Sequence, residues 1–136
     1  MHQGHNRGES FASEVFISQV FARQGRVVEL VNEQGEDGLR RFDALVDGEE
    51  WEFKELTDKA TNIQSAFQRG LSYGASQAQR IAYHVNRNAD IGLLNAGLNQ
   101  AIYHDKKKII QVVALVFQDG SVQQLRRKEI DSGRYF

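Results

Sequence analysis

Apolar residues recur at two different spacings along this chain, and the switches between them mark its elements. In SFASEVFISQVFARQG, residues 10–25, Phe11, Val15, Phe16, Val20 and Phe21 fall at helical intervals, and Gly25 supplies a stop. RVVELV then reads as a short strand and NEQGEDG as a surface loop. RRFDALVDGEEWEFKEL, residues 40–56, alternates with period two, turns at Asp47-Gly48 and alternates back. TNIQSAFQRGLSYGASQAQ is weakly amphipathic at helical spacing and punctuated by glycine, and RIAYHV reads as a buried strand. DIGLLNAGLNQAIYH places Ile91, Leu94, Leu98 and Ile102 on one helical stripe, with Asp90 at its start. IIQVVALVF is the most strand-like run, and QDG turns it into SVQQL. The tail RRKEIDSGRYF is polar and predicts no element.

The order is helix, three strands, helix, strand, helix and a strand pair. It predicts one α/β domain over residues 1–136, a central mixed sheet flanked by helices, with residues 1–8 as a mobile start. Runs as apolar as IIQVVALV suit strands covered on both faces. At 136 residues and 40% apolar content the chain can bury roughly two-thirds of its unfolded surface. No run approaches the length a membrane-spanning helix needs, and MHQGHNRGES lacks the apolar stretch of a signal peptide. The absence of cysteine excludes disulfides and thiolate metal sites.

A net charge of −1 conceals a division. Residues 1–59 carry 13 acidic and 7 basic side chains, and residues 60–136 carry 5 and 10. Ordinary solvated surface accounts for this, and so does an acidic site beside a basic surface that meets a polyanion. The basic runs are Lys106, Lys107 and Lys108, then Arg126, Arg127 and Lys128, which read as solvated segments or as phosphate contacts. The histidines add little. His2 and His5 lie in the polar start, His84 reads as a core histidine in an apolar strand, and His104 ends a helix where a cation suits the dipole.

The hairpin raises a sharper question. With Asp47 and Gly48 as a two-residue turn, Val46 pairs with Glu49, Leu45 with Glu50, Ala44 with Trp51, and Asp43 with Glu52. One face then holds Phe42, Ala44, Val46, Trp51 and Phe53, and the other Arg41, Asp43, Leu45, Glu50, Glu52 and Lys54. Directly opposed carboxylates destabilise a sheet. A shared proton, the flanking Arg41 and Lys54, or a divalent cation would neutralise them. Diagonal Asp43–Lys54 and Arg41–Glu52 pairs on a solvated face are the plain alternative, worth about 0–1 kcal/mol each.

Asp43, eight residues, then Glu52-Phe53-Lys54 resembles the PD-(D/E)xK signature of restriction-endonuclease-like nucleases, and the element order αβββαβ is similar to their core. More narrowly, a helix carrying Glu14, then FDALVDGEEWEFKEL, then ASQAQRIAYHV, resembles the C-terminal toxin domains of contact-dependent growth inhibition proteins, several of which are tRNA nucleases. The likeness covers residues 9 to 117, with Phe42 where the signature has proline. It implies Asp43 and Glu52, with the Phe53 carbonyl, as ligands of Mg²⁺ or another divalent cation. It implies Lys54 as the group that positions the attacking water, with Glu14 and Gln77 completing the site. Gln79 and Tyr83 form a rival Gln-x-x-x-Tyr spacing. The resemblance further implies a tRNA substrate, a cognate immunity protein, and action in a bacterial cytoplasm after delivery from a secreted parent. A DNA endonuclease of the same fold and a non-catalytic interaction domain are the alternatives.

Overall fold

The computed structural model describes the backbone of residues 3–31 and 42–136, with side chains from Phe11 onward. The NEQGEDG loop, Arg41 and the side chains of His2 and His5 lie outside the described residues. Among the described residues, ten elements run in the order α1 (Gln3–Arg23), β1 (Val28–Leu30), β2 (Ala44–Val46), β3 (Glu49–Leu56), α2 (Ile63–Gly74), β4 (Arg80–Val85), α3 (Ile91–His104), β5 (Val112–Phe117), β6 (Val122–Arg126) and α4 (Arg127–Asp131). The six strands form one open sheet in their chain order, β1-β2-β3-β4-β5-β6. β3, β4 and β5 are mutually parallel, while β1, β2 and β6 join as antiparallel neighbours. Among the described residues, no helix is long and apolar enough to cross a membrane.

Local chemistry sets the boundaries. Gly25 ends α1 at φ 88°, where its N–H donates to the Ala22 carbonyl and the next N–H, of Arg26, donates to Phe21. That pair of bonds satisfies two terminal carbonyls, and only glycine adopts the required left-handed backbone without a Cβ penalty. Asn62 and Asp90 cap α2 and α3 by accepting from the N–H groups of Ser65 and Gly92. Asp47 and Gly48 both take positive φ, 52° and 81°, as the tight hairpin requires.

Two cores lie on opposite faces of the sheet. On one, Ile17, Val20 and Phe21 of α1 cover Ala44, Val46, Trp51, Phe53, Ala82 and Ala114. On the other, Phe67 and Leu71 of α2 and Leu94 and Leu98 of α3 cover Leu56, Ile81, Tyr83, Val113 and Leu115. The helices α2 and α3 approach closely at Gly97, where a Cβ would lie 2.7 Å from the Gln64 carbonyl oxygen. At Gly70 a Cβ would fall on the Tyr83 hydroxyl, so that helix position is glycine because the tyrosine fills its space.

Helical backbone begins at Gln3, within the stretch expected as a mobile start. Two expectations need correction. The buried stripe of α1 is Ser13, Ile17, Val20 and Phe21, and Phe11 is 53% exposed. Ser13 hides that stripe from a hydrophobicity pattern, because it is polar yet buried with its Oγ 2.8 Å from Nδ1 of His84. His84 is itself buried and stacked on Phe16, as expected of a core histidine. The tail is structured, with Arg127 and Ile130 of α4 packed inward.

Candidate active site

The hairpin register runs as the two-residue turn dictates, through Val46–Glu49, Leu45–Glu50 and Ala44–Trp51. It changes at Asp43. The Asp43 N–H donates at 2.9 Å to the carbonyl of Trp51, already the partner of Ala44, so two residues face one in the manner of a β-bulge. Asp43 is therefore not simply opposed to Glu52. Its Oδ2 instead accepts the N–H of Phe53 at 2.9 Å, which seats the carboxylate against the Glu52–Phe53 peptide. Within an extended strand the N–H and C=O of one residue point to the same side, so the Phe53 carbonyl also faces the Asp43 side of β3.

Glu52 and Lys54 share a face, because their partners on β4 are Ile81 and Tyr83, both in the core beneath α2 and α3. The Lys54 ammonium stands 3.7 Å from Glu52 Oε2. Asp43 is 3% and Glu52 2% exposed, which makes them unusual among acidic side chains. Removing a carboxylate from water costs several kcal/mol after relaxation, so a fold keeps one buried where charge nearby repays it or where function needs it. Lys54 extends past Gly74, where a Cβ would touch its Cε at 3.4 Å, and its ammonium lies 5.0 Å from the centre of the Tyr73 ring. Tyr73 is a participant that sequence reasoning missed, since only the tertiary contact of α2 with β3 brings it to the lysine.

Gln77 follows α2 and lines an open depression of about 590 Å³ together with Gly48, Glu49, Glu50, Gln79 and Arg80. Its Oε1 is buried without a hydrogen-bond partner. In the rival pair, Gln79 is exposed, while Tyr83 is buried edge-on against Phe67, and burial pushes its hydroxyl well above the usual tyrosine value. Tyr83 thus stays protonated and packs as core. Glu14 is half-buried, and Ser18 donates to its backbone carbonyl. It sits on α1, the helix that covers the other face of the sheet.

The basic residues divide. Lys106, Lys107 and Lys108 are exposed between α3 and β5, where the parallel strands begin, and Arg126 is exposed at the paired end of β6. Gln77 and the depression lie at that same end, since Gln79 accepts the N–H of Gln111 just before β5. Arg127 does not fit the expected role of phosphate contact. Its guanidinium is buried, donates to Asp105 at 2.8 Å and to the Ile110 carbonyl at 3.0 Å, and reaches Asp131 at 3.1 Å. A charge held this way braces the fold and is not offered to a ligand.

The donor set suits a hard cation: two buried carboxylates, Glu52 on β3 and Asp43 bound to the Phe53 N–H, with the Phe53 carbonyl facing the Asp43 side. Among the described residues no three His, Cys, Asp or Glu side chains converge. Mg²⁺ is usually held by one or two carboxylates, with water and substrate oxygens supplying the rest.

Comparisons with known proteins agree with this architecture. A structure described as "CdiA-CT/CdiI toxin and immunity complex from Burkholderia pseudomallei" contains a chain that superposes with TM-score 0.57. It is 16% identical and covers 85% of this chain and 86% of that one, so the likeness is one of fold. Comparison with curated proteins finds no match. Residues 40–122 match the family described as "Contact-dependent growth inhibition CdiA C-terminal domain", a stretch that runs from the hairpin to β6. The chain belongs to the CdiA C-terminal domain family of contact-dependent growth inhibition.

Proposed function

We propose that this domain is a metal-dependent endoribonuclease of the PD-(D/E)xK type that acts as a toxin by cutting tRNA. The observation that carries the reading is the two buried carboxylates, Glu52 on β3 and Asp43 just before β2 bound to the Phe53 N–H, with Lys54 3.7 Å from Glu52. Asp43 and Glu52 would hold Mg²⁺ or another divalent cation together with the Phe53 carbonyl. When bound, such an ion neutralises charge at a scissile phosphate and acidifies a coordinated water. The protein's own part is positional. The Phe53 N–H fixes the Asp43 carboxylate, and Glu52 holds the Lys54 ammonium where it meets an attacking water or the charge growing on phosphorus. Gln77, with its buried Oε1, offers a polar contact at the same end of the sheet. Lys106, Lys107, Lys108 and Arg126 supply phosphate contacts at a distance from the chemistry.

The Burkholderia pseudomallei chain comes from a toxin and immunity complex. By that likeness and by the family, we extend to this domain a cognate immunity protein and delivery from a secreted parent into a bacterial cytoplasm. The test is a gel assay on total tRNA with wild type and Glu52→Gln, in Mg²⁺ and in EDTA. Discrete fragments that require both Mg²⁺ and Glu52 are expected. Intact tRNA in every lane, from protein shown to be folded by circular dichroism, would refute the reading.

A further inference from the structure

Tyr73 is 69% exposed on the last turn of α2, yet it stands beside the lysine that pairs with Glu52, the most buried acidic group of the candidate site. Glu52 holds Lys54 at 3.7 Å, and the Lys54 ammonium lies 5.0 Å from the Tyr73 ring centre. One side of the ring therefore meets the cation, and its exposure leaves the rest of the ring open to solvent. A cation over one part of the ring is a weak attraction at an exposed site and leaves the outer face free to stack on a second π-system. Tyr103 repeats the arrangement at the end of α3. It is equally exposed, with the Lys106 ammonium 4.4 Å from its ring centre. Both helices run from the end of one parallel strand to the start of the next, so both tyrosines stand at the end of the sheet where Gln77 and Lys106–Lys108 lie.

We propose that Tyr73 is a stacking platform for an unpaired nucleobase next to the scissile phosphate, and that the substrate is an unpaired stretch of RNA such as a loop. The inference rests on the nucleic-acid reading of the Glu52–Lys54 site. A base in a duplex keeps its faces against its neighbours, whereas an unpaired base offers a face to an aromatic ring, and any base will do. Cation and ring alternate here as single-strand binding requires: Lys54 for a phosphate, Tyr73 for the adjoining base, and the Lys106–Tyr103 pair for a more distant nucleotide. Tyr73 is thus a positioning residue that aligns the backbone with Lys54 and takes no part in proton transfer.

The test has two arms. In the first, Tyr73→Ala and Tyr73→Phe are compared with wild type on an unpaired RNA oligomer and on the same sequence closed into a duplex, in Mg²⁺. Tyr73→Ala should raise KM on the unpaired oligomer by roughly 5- to 150-fold, the range that base stacking implies, with kcat little changed. Tyr73→Phe should restore most of it, and the duplex should be cut poorly by all three. In the second arm, Tyr73→Trp is made in the Glu52→Gln background and its fluorescence is followed as six-residue oligouridylate is added. The natural Trp51 is 1% exposed and sheltered from contact quenching, so quenching reports stacking at position 73. An unchanged KM for Tyr73→Ala, in a protein whose cleavage still needs Glu52, would overturn the platform and leave the nuclease standing. Quenching by the oligomer, where wild type cuts no RNA, would keep the platform and remove the nuclease. Neither quenching nor cleavage would overturn both.

Discussion

Replacing Arg127 with Met separates a structural cation from the ligand-facing ones. The guanidinium and its partner Asp105 each have 8% of their side-chain surface exposed, and the pair meets at 2.8 Å. Arg127 also donates to the Ile110 carbonyl, a bond that ties α4 to the segment leading into β5. Removing one member of such a buried pair costs about 3–5 kcal/mol. The lower end applies here, because Asp105 keeps its bonds from the N–H groups of Ile109 and Ile110. The contact with the more exposed Asp131 adds no more than about 1 kcal/mol. A loss of about 3 kcal/mol is a large share of the roughly 5–15 kcal/mol that holds a domain together. At 2–4 °C per kcal/mol it lowers Tm by about 6–12 °C. Urea unfolding followed by tryptophan fluorescence measures it, with Lys107→Ala as the exposed control, expected within about 0.5 kcal/mol of wild type. A loss below about 1 kcal/mol for Arg127→Met at unchanged urea sensitivity would refute the view that this arginine braces the fold.

Two further predictions use the same protein. His84 lies below its ordinary value of 6.5 because burial disfavours the cation, with Glu55 pulling weakly the other way. As pH falls below about 6.5 the unfolded chain therefore takes up the proton first, and stability declines until the folded value is reached. Urea unfolding from pH 7.5 to 5 should show that decline, reduced in His84→Gln, and identical pH slopes for the two proteins would count against it. Changing Lys106, Lys107 and Lys108 together to Ala should flatten the plot of log affinity against log salt by about 2 for tRNA, at about 0.7 per phosphate on unpaired strands. Fluorescence anisotropy between 50 and 200 mM salt reads the slope, and an unaltered slope would take the loop out of the interface.

What could be read from the chain and what could not divide along physical lines. The hairpin register was legible because Asp47-Gly48 accepts the two positive φ values of a tight turn, and period-two alternation then leaves one pairing. Glu52 and Lys54 were legible together because residues two apart on a strand share a face. The bulge at Asp43 was not, since it depends on a carboxylate finding the N–H of Phe53, a contact that alternation cannot encode. Arg127 was misread and Ser13 went unremarked for one reason: each is a polar residue buried by a partner more than twenty positions away, Asp105 and His84. Tyr73 went unremarked because an exposed tyrosine at a helix end carries meaning only beside Lys54.

The spatial order of the strands, identical to their chain order, bears on how the domain is made as well as on what it does. No strand has to be inserted between two that are already paired. From β3 onward each can join the free edge left by its predecessor, through a two-residue turn, a single helix or another short turn. Such a path keeps the loops to be closed short, and short closures favour fast assembly. The sequence contains no proline and no cysteine, so neither slow isomerisation of X-Pro bonds nor thiol pairing delays the last step. A domain built this way is suited to losing its structure and regaining it, a useful property under the delivery proposed above.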